Sequence, residues 1–369
     1  MTNLKYPKAI VCFCILVFTL LFEGCSVLPK FPSSPFLTEK ENGPPYRGVF
    51  HVHTKYSHDS SGSIEDVIHA ANGQHLDFVV ITDHNTLKGK AETSHQPPIT
   101  SPLMIVGNEI STTDGHLIAL GINEEILPPI EPQPAIDQIH NLGGYAVLAH
   151  PVCDRTAWKD WTVKNYDAIE IYNYACDFYS SNKFEFILKS LLFSPTLFIK
   201  QTVKEPRDLL HQWDFISMAR PVPGIGAIDA HVHNLLGIPF IRYSLSFRAA
   251  TQYVNAKSNS EKDILEALIH GNSFTVFESH GQARNFTFEA RSGSRAFESG
   301  SKVKSESPVT LFVNSPAFSE IRLFRNGEMI SKHRSKTFVF DVREPGIYRA
   351  EVFKNGKLWI ISNAIAIQI

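Results

Sequence analysis

The sequence predicts an α/β fold, with a parallel sheet or an α/β barrel, followed by a small all-β domain. From Gly48 to about His280, short apolar runs alternate with amphipathic helical patterns. After about Asn285 the chain instead shows short runs in which apolar and polar residues alternate. Strands alternating with helices favour a parallel sheet, and regularly spaced short strands favour a sandwich. The length of 369 residues suits one large domain and a smaller one.

Seven apolar runs of the first part are expected to form strands. They cover residues 48–52, 78–82, 104–106, 117–121, 146–149, 168–172 and 224–228. Helix start signals lie between them. Ser63 with Asp66 is typical of a capping box, with Gly73 as a stop signal, and Ser260 with Asp263 predicts a second start before Gly271. The aromatic-rich segment 178–218 is mostly helical in pattern. It is either a cap over the barrel mouth or a pair of packing helices, and the second is slightly favoured.

The last part, residues 284–369, is expected to be a small β-sandwich, immunoglobulin-like in outline. Its predicted strands include residues 286–288, 309–313, 321–324, 338–340, 348–353 and 359–361. Asn326-Gly327 and Asn355-Gly356 are dipeptides typical of two-residue hairpin turns. Nothing in this part has the pattern of a catalytic site.

The N-terminus has the features of a targeting segment. Lys5 and Lys8 precede an apolar run of 14 residues, 9–22, which is of signal-peptide length. Cys25 follows, and then a stretch rich in proline and serine. We expect a signal peptide over residues 1–25, of the bacterial lipoprotein type with a lipid anchor on Cys25, and a linker over 26–46. The protein would then be exported and held at a bacterial membrane, facing the periplasm or the exterior. An uncleaved anchor and an ordinary signal peptide are the alternatives.

The net charge and the cysteine content restrict the kinds of partner and metal site that the sequence allows. The net charge is −2 and no block of lysine and arginine occurs, so a large nucleic acid is not expected as a partner. The chain has five cysteines and no CxxC motif, which argues against a thiolate zinc site. Cys153 and Cys176 would pair if the protein is exported, although two free thiols are about equally compatible with the sequence.

Histidine and acidic residues recur where the predicted strands end. These positions are His51 and His53 with Asp59 close behind, His84, Glu109 with His116 just beyond, His150, and Asp229 with His231. Alternate residues of a strand share a face, so the HxH and DxH pairs are expected to point one way. The carboxyl ends of parallel barrel strands converge on one rim, where active sites sit. The repetition predicts a cluster of divalent cations on that rim.

The ordered motifs HVHT, TDHN, GNE, LAHP and DAH resemble those of the polymerase and histidinol phosphatase (PHP) metallohydrolase family over about residues 47–283. The resemblance implies a distorted (β/α)7 barrel with two or three ions of zinc, manganese or iron. It places His51, His53, Glu109 and Asp229 on one metal, Glu109, His116 and His150 on a second, and Asp59, His84 and His231 on a third. His58 competes with Asp59 for its place, and His116 matches one branch of the family. We expect Asp83 to orient His84 or a neighbour.

The expected activity is hydrolysis of a phosphate ester in a small, anionic substrate, by attack of a hydroxide that bridges two metals. Glu109 would be the bridging ligand, and Asp229 and His116 complete the residues expected to act in catalysis. The first alternative is hydrolysis of a carbamate, amide or ester with the same metal cluster. The second is a binding protein anchored in the cell envelope, with the barrel as a scaffold.

Overall fold

A computed structural model describes residues 43, 45–94, 102–153, 156–235 and 238–368. The predicted signal peptide and nearly all of the predicted linker lie outside these residues. Among the residues described, no helix is long and apolar enough to cross a membrane.

A ring of seven strands positions the predicted site. The strands are β1 (Tyr46–Val52), β2 (Phe78–His84), β3 (Leu103–Thr112), β4 (Gly115–Leu120), β5 (Tyr145–Ala149), β6 (Ala168–Asn173) and β7 (Gly224–Ala227). Neighbours in this series pair in chain order, in parallel except where β4 runs antiparallel to β3 and β5. The residues after β7 close the ring, because Ile228 N donates to Phe50 O and Ala230 N donates to His51 O. All seven predicted strands are therefore present.

Alternate residues of these strands join two different apolar clusters. In β2, Val79 and Ile81 belong to one cluster, whereas Phe78 and Val80 belong to the other. The second cluster also contains Ile264 of the last helix of this part. Because both faces of the strands are covered, the strands are apolar almost throughout, as expected for a mainly parallel sheet.

The helices connect the strands of the ring or follow the last of them. They are α1 (Ile64–Gln74), α2 (Gly89–Thr93), α3 (Pro132–Asn141), α4 (Tyr174–Tyr179), α5 (Lys183–Leu192), α6 (Pro195–Thr202), α7 (Arg207–Ala219), α8 (Tyr243–Ser246) and α9 (Glu261–Ile269). Ser63 and Asp66 form the predicted capping box of α1, and at α9 the side chain of Ser260 accepts from Asp263 N. Gly73 does not stop α1, which continues to Gln74 and ends with His75 in the left-handed conformation.

The remaining strands are mostly antiparallel, and two of them are long. They are β8 (His233–Leu235), β9 (Ile238–Ile241), β10 (Thr251–Val254), β11 (Ser273–Val276), β12 (Thr287–Ser292), β13 (Arg295–Glu298), β14 (Lys302–Lys304), β15 (Val309–Arg325), β16 (Glu328–Asp341), β17 (Gly346–Lys354), β18 (Lys357–Ser362) and β19 (Ile365–Gln368). The runs 309–313 and 321–324, predicted as two strands, are one long strand with an irregularity after Asn314. Both predicted hairpin turns are confirmed, since all four of their residues have positive φ.

The β-rich part is continuous with the ring rather than separate from it. β10 pairs with the start of β1, β11 pairs with β10, and β18 pairs with β11. The Asn363 side chain adds a second connection, because it accepts from Gly224 N at 2.7 Å and donates to Gly224 O at 3.1 Å. The structure therefore has a mixed α/β fold built on one large sheet.

Candidate metal centre

The nine residues predicted as metal ligands come together at one site. Their ligand atoms form four overlapping groups, each spanning less than 4.8 Å. The groups are His53, Asp59, His84 and His231; His51, His150 and Asp229; His51, His53 and Glu109; and His84, Glu109 and His116. The ligand atoms therefore converge, as expected for strand ends that meet at one rim of the ring.

Glu109 lies at the centre of the cluster and is buried. Its Oε1 atom is 2.8 Å from His116 Nδ1 and 2.9 Å from His150 Nε2. Its Oε2 atom is 3.1 Å from His53 Nε2 and 3.2 Å from His84 Nδ1. The two oxygens of one carboxylate therefore face two different sets of imidazoles.

A second carboxylate, that of Asp59, lies at the outer side of the cluster. Asp59 Oδ2 is 3.1 Å from His231 Nε2 and 3.3 Å from His84 Nε2. His58, the alternative ligand in the sequence, has an exposed side chain, and its ring is tilted against that of His84. The ligand groups include Asp59 and do not include His58 among the described residues.

Three residues of the cluster have an unusual backbone conformation. His51, His150 and Asp229 have φ of 71°, 28° and 48°, in a region that residues other than glycine rarely occupy. The pairing of β1 with β2 shifts register between Phe50 and Val52, so the strand is irregular at His51. The His51 and His53 imidazoles therefore converge at a locally distorted strand end, whereas the sequence predicted a regular one. Such conformations concentrate at functional sites, where the surrounding structure enforces them.

Polar residues behind the cluster fix the orientation of the imidazoles. Glu170 Oε1 is 2.6 Å from His51 Nδ1, and its Oε2 accepts from His150 N at 2.7 Å. Ser57 Oγ lies 2.8 Å from His53 Nδ1, and Thr156 Oγ1 lies 2.8 Å from His150 Nδ1. A hydrogen bond to one ring nitrogen sets which tautomer presents the other nitrogen to a metal.

The sequence motifs assign no role to Ser57, Thr156 or Glu170. For Glu170 the available signal was an acidic residue within the predicted apolar strand 168–172. Asp83 was expected to orient His84 or a neighbour. It instead accepts from the backbone N–H and the hydroxyl of Thr54, and so it fixes the turn that follows His53.

The electrostatics of the cluster favour bound positive charge. Burial lowers the pKa of the His51 imidazole, but the carboxylates around it, led by Asp229, outweigh burial and hold its pKa well above the usual range. Burial raises the pKa of Glu109, yet the neighbouring imidazoles, led by His51, hold it well below its usual value. The pKa of Asp59 is lowered in the same way by His231 and His84 despite partial burial.

The residues present suit a divalent cation. Glu109 Oε2, Asp59 Oδ1 and His84 Nδ1 are buried and form no hydrogen bond of acceptable geometry. Buried polar atoms are rarely left without a partner, and each of these is an atom that binds metals. Imidazole and carboxylate ligands without a thiolate suit zinc, manganese or iron.

A cleft opens beside the cluster, with an empty volume of about 410 Å³ that includes the part open to solvent. Asp229 and His231 border it on the metal side. The other lining residues come from α4, α5, α8 and the end of β7, and they are Tyr174, Ala175, Phe178, Tyr179, Phe186, Ile228, Leu245 and Ser246. Residues of the aromatic-rich segment 178–218 therefore line the site. The slightly favoured prediction was that the helices of this segment only pack against the rest of the fold.

A family model described as the PHP domain matches residues 50–237, which is more than half of the 369-residue chain. The chain belongs to the PHP family. This PHP protein is 31% identical over 136 residues to an uncharacterized protein of Methanocaldococcus jannaschii, a match that covers 33% of this chain and 79% of the relative.

Two solved structures resemble this PHP protein. One is a two-domain protein of Bacteroides vulgatus containing a predicted PHP-like metal-dependent phosphoesterase, with 15% identity, a TM-score of 0.45 and coverage of 90% of this chain and 100% of that one. The other is an amidohydrolase of Chromobacterium violaceum, with 15% identity, a TM-score of 0.33 and coverage of 50% of this chain and 87% of that one.

Proposed function

We propose that this protein is a metal-dependent phosphoesterase acting on a small phosphorylated molecule. The central observation is the position of Glu109, whose two carboxylate oxygens face different imidazoles at 2.8–3.2 Å. A carboxylate placed in this way suits a ligand that bridges two cations, and two-metal sites are typical of phosphoester hydrolysis.

We assign the ligands as the family resemblance suggests. The first cation would be held by His51, His53, Glu109 and Asp229, the second by Glu109, His116 and His150, and the third by Asp59, His84 and His231. For the third cation, the group of Asp59, His84 and His231 supports the assignment and also includes His53. For the second, the support is the contact of Glu109 Oε1 with both His116 and His150, although the grouping of ligand atoms places His150 with His51 and Asp229. Two or three ions of zinc, manganese or iron are expected.

Cations held in this cluster would lower the pKa of bound water to about 7 and neutralise charge on substrate oxygens. The protein's own residues supply orientation. Asp229 borders the cleft, and the imidazoles around it keep its carboxyl ionised by lowering its pKa, although burial opposes this. It is placed to orient the attacking water. His116, which is partly exposed and lies 2.8 Å from Glu109 Oε1, would contact the substrate at the cluster.

Substitution of Glu109 by Gln tests this proposal. The variant should lose bound metal, measured by elemental analysis of anaerobically purified protein. It should also lose hydrolysis of p-nitrophenyl phosphate by at least about a hundredfold, as expected when an electrostatic ligand is removed. His69→Gln is the matched control, because His69 is an exposed histidine on α1. Full activity and metal content in Glu109→Gln would refute the assignment.

Hydrolysis of a carbamate, amide or ester is the second candidate. It is favoured by the lining of the cleft, which among the described residues includes no lysine or arginine to hold a phosphate. Comparing p-nitrophenyl phosphate with aryl carbamates and esters separates the two candidates. Purified protein that is metal-free and inactive on both classes would instead favour a binding protein of the cell envelope.

We also propose that the protein is exported and anchored to a bacterial membrane by a lipid on Cys25, with the site facing the periplasm or the exterior. The disulfide between Cys153 and Cys176 supports export, because such bonds persist in oxidising compartments. Labelling with radioactive palmitate in the presence and absence of globomycin tests the anchor. A protein that takes up no label, and a Cys25→Ser variant that behaves like the parent, would contradict it.

We further propose that the ring of β1 to β7 is the distorted (β/α)7 barrel of the family, with β4 as its antiparallel member. Residues 284–369 would form an immunoglobulin-like sandwich that is fused to the barrel sheet through β18.

A further inference from the structure

We propose that the cleft beside Asp229 and His231 binds an apolar, ring-bearing group of the substrate, so that the enzyme prefers aryl substrates over small polar ones. This inference rests on the proposed hydrolase function and specifies its substrate class. It concerns the part of the substrate that the metal cluster does not hold.

The position of the cleft connects it to the reacting centre. Asp229 Oδ1 lies 3.2 Å from His53 Nε2, and His231 Nε2 lies 3.1 Å from Asp59 Oδ2, so both residues belong to the ligand groups. The same two residues form one wall of the cleft. A substituent one or two bonds from a group held at the cluster would therefore enter the cleft.

The opposite walls of the cleft consist of aromatic and aliphatic side chains. Tyr174, Phe178 and Tyr179 come from α4, Phe186 from α5 and Leu245 from α8. The Phe178 and Phe186 rings meet edge to face, with their centroids 4.7 Å apart. Aromatic rings bind best to other rings in offset or edge-to-face geometry. A sugar or polyol would lose hydrogen bonds to water on entering such a cleft, whereas an aryl group would gain apolar contacts.

The walls are held in place, so the cleft is formed before a ligand binds. The Tyr174 hydroxyl is hydrogen-bonded to Thr202 Oγ1 at 2.9 Å. This bond directs the polar end of Tyr174 towards α6 and away from the cleft. The disulfide of Cys176 with Cys153 ties α4 to the loop that follows His150. Asp177 accepts from Tyr172 Oη and from Lys204 N, and these bonds fix the other side of α4. A preformed site avoids the entropy cost of ordering its walls.

Binding of inhibitors to the full, metal-loaded chain tests the inference. Phenylphosphonate and methylphosphonate carry the same charged group and differ only in the apolar part. Benzohydroxamate and acetohydroxamate form an equivalent pair for carbonyl chemistry. Dissociation constants are measured by calorimetry for all four. In at least one pair, the aryl member should bind at least about tenfold more tightly, as expected when the apolar walls cover part of a phenyl ring.

Variants in the cleft connect that preference to its walls. Phe178→Ala should reduce the aryl preference to less than about threefold while leaving the methyl member's binding unchanged. Phe184→Ala is the control, because Phe184 lies on α5 and is 77% exposed. If Phe178→Ala fails to fold, Ala175→Leu serves instead, since it fills the cleft and should weaken only the aryl member.

The outcomes separate this inference from the proposed function. Aryl preference among hydroxamates alone would overturn the phosphoesterase proposal and keep the inference. Equal binding of aryl and methyl members in both pairs, or an aryl preference that persists in Phe178→Ala and Ala175→Leu, would overturn the inference even in an active phosphoesterase.

Discussion

The Nε2 atoms of His51 and His53 lie 2.9 Å apart, and both side chains are fully buried. Two imidazole nitrogens approach this closely only when a proton or a cation lies between or beside them, because their lone pairs otherwise repel. Burial lowers the pKa of His53, but hydrogen-bonding contacts with Asp229 and Glu109 outweigh it and raise the pKa to about 9. Protons therefore occupy the cluster when metal does not, and a metal must displace them.

The first prediction concerns the stability of the protein as a function of pH. In metal-free protein the folded-state pKa of His53 lies above the usual value of 6.5, so its stabilising effect is complete below 6.5. That effect is lost as the pH rises through about 9. Metal binding shows the opposite trend, since it requires deprotonated imidazoles. The difference in Tm between metal-loaded and chelator-treated protein should therefore widen with rising pH.

Scanning calorimetry between about pH 6 and pH 9 checks this prediction. At a metal concentration about a hundredfold above Kd, the stabilisation should reach about 3 kcal/mol. His69→Gln should reproduce the parent curve. A difference in Tm that stays constant or narrows over this range would show that protons and metal do not compete at the cluster.

The second prediction concerns Glu170, which contacts the cluster from behind. Its carboxylate lies 2.6 Å from His51 Nδ1 and accepts from His150 N. Glu170→Gln keeps the size of the side chain but removes its charge, so the His51 imidazole becomes a weaker ligand. Metal affinity should fall by about 10- to 100-fold, measured by competition with a coloured chelator. Glu124→Gln, at an exposed position, should leave affinity unchanged. Unaltered affinity in Glu170→Gln would mean that Glu170 is only a packing residue.

Much of the metal centre could be predicted from the sequence because its ligands follow strand ends, and strand ends converge by the geometry of a barrel. The backbone distortions at the metal centre could not be predicted from the sequence. Left-handed φ values at His51 and His150 are imposed by surrounding contacts, and no local residue preference indicates them. The contacts of Ser57 and Thr156 depend on loop conformations that a single sequence does not determine.

The fold likewise combines local features that could be predicted with long-range strand pairings that could not. Capping residues and the Asn-Gly turns were predictable because they act within a few residues of chain. The pairing of β11 with β18 joins residues about ninety positions apart, such as Phe274 and Ser362. Nothing local in either strand specifies its partner, so the sharing of one sheet by the ring and the β-rich part could not be predicted from the sequence.

The third prediction concerns the disulfide between Cys153 and Cys176. It joins the loop after His150 to α4, whose residues line the cleft. Cys176→Ser should lower the free energy of unfolding by about 2–4 kcal/mol, because the unfolded chain regains the freedom of the closed loop. Denaturant unfolding with and without reductant measures this. Reductant should destabilise the parent to the same extent and leave Cys176→Ser unaffected. If reductant changes neither protein, the disulfide does not stabilise the fold.

The fourth prediction concerns Arg349 of β17, which connects the β-rich part to α7. Its Nε and Nη2 atoms donate to the two carboxylate oxygens of Asp214 at 2.6 and 2.7 Å, and its Nη1 donates to Glu351 at 2.7 Å. The Arg349 side chain is 3% exposed and lies over the Phe324 ring. Arg349→Ala would leave two buried carboxylates without this partner. The free energy of unfolding should fall by about 3–5 kcal/mol.

Chemical denaturation measures this loss, with Arg334→Ala as the control because the Arg334 side chain is 76% exposed. The double variant Arg349→Met with Asp214→Leu should recover part of the loss, since it replaces a buried ion pair by apolar contacts. That recovery distinguishes the cost of an unpaired buried charge from simple loss of packing. If the double variant were no more stable than Arg349→Ala, the loss would not come from the unpaired Asp214 carboxylate.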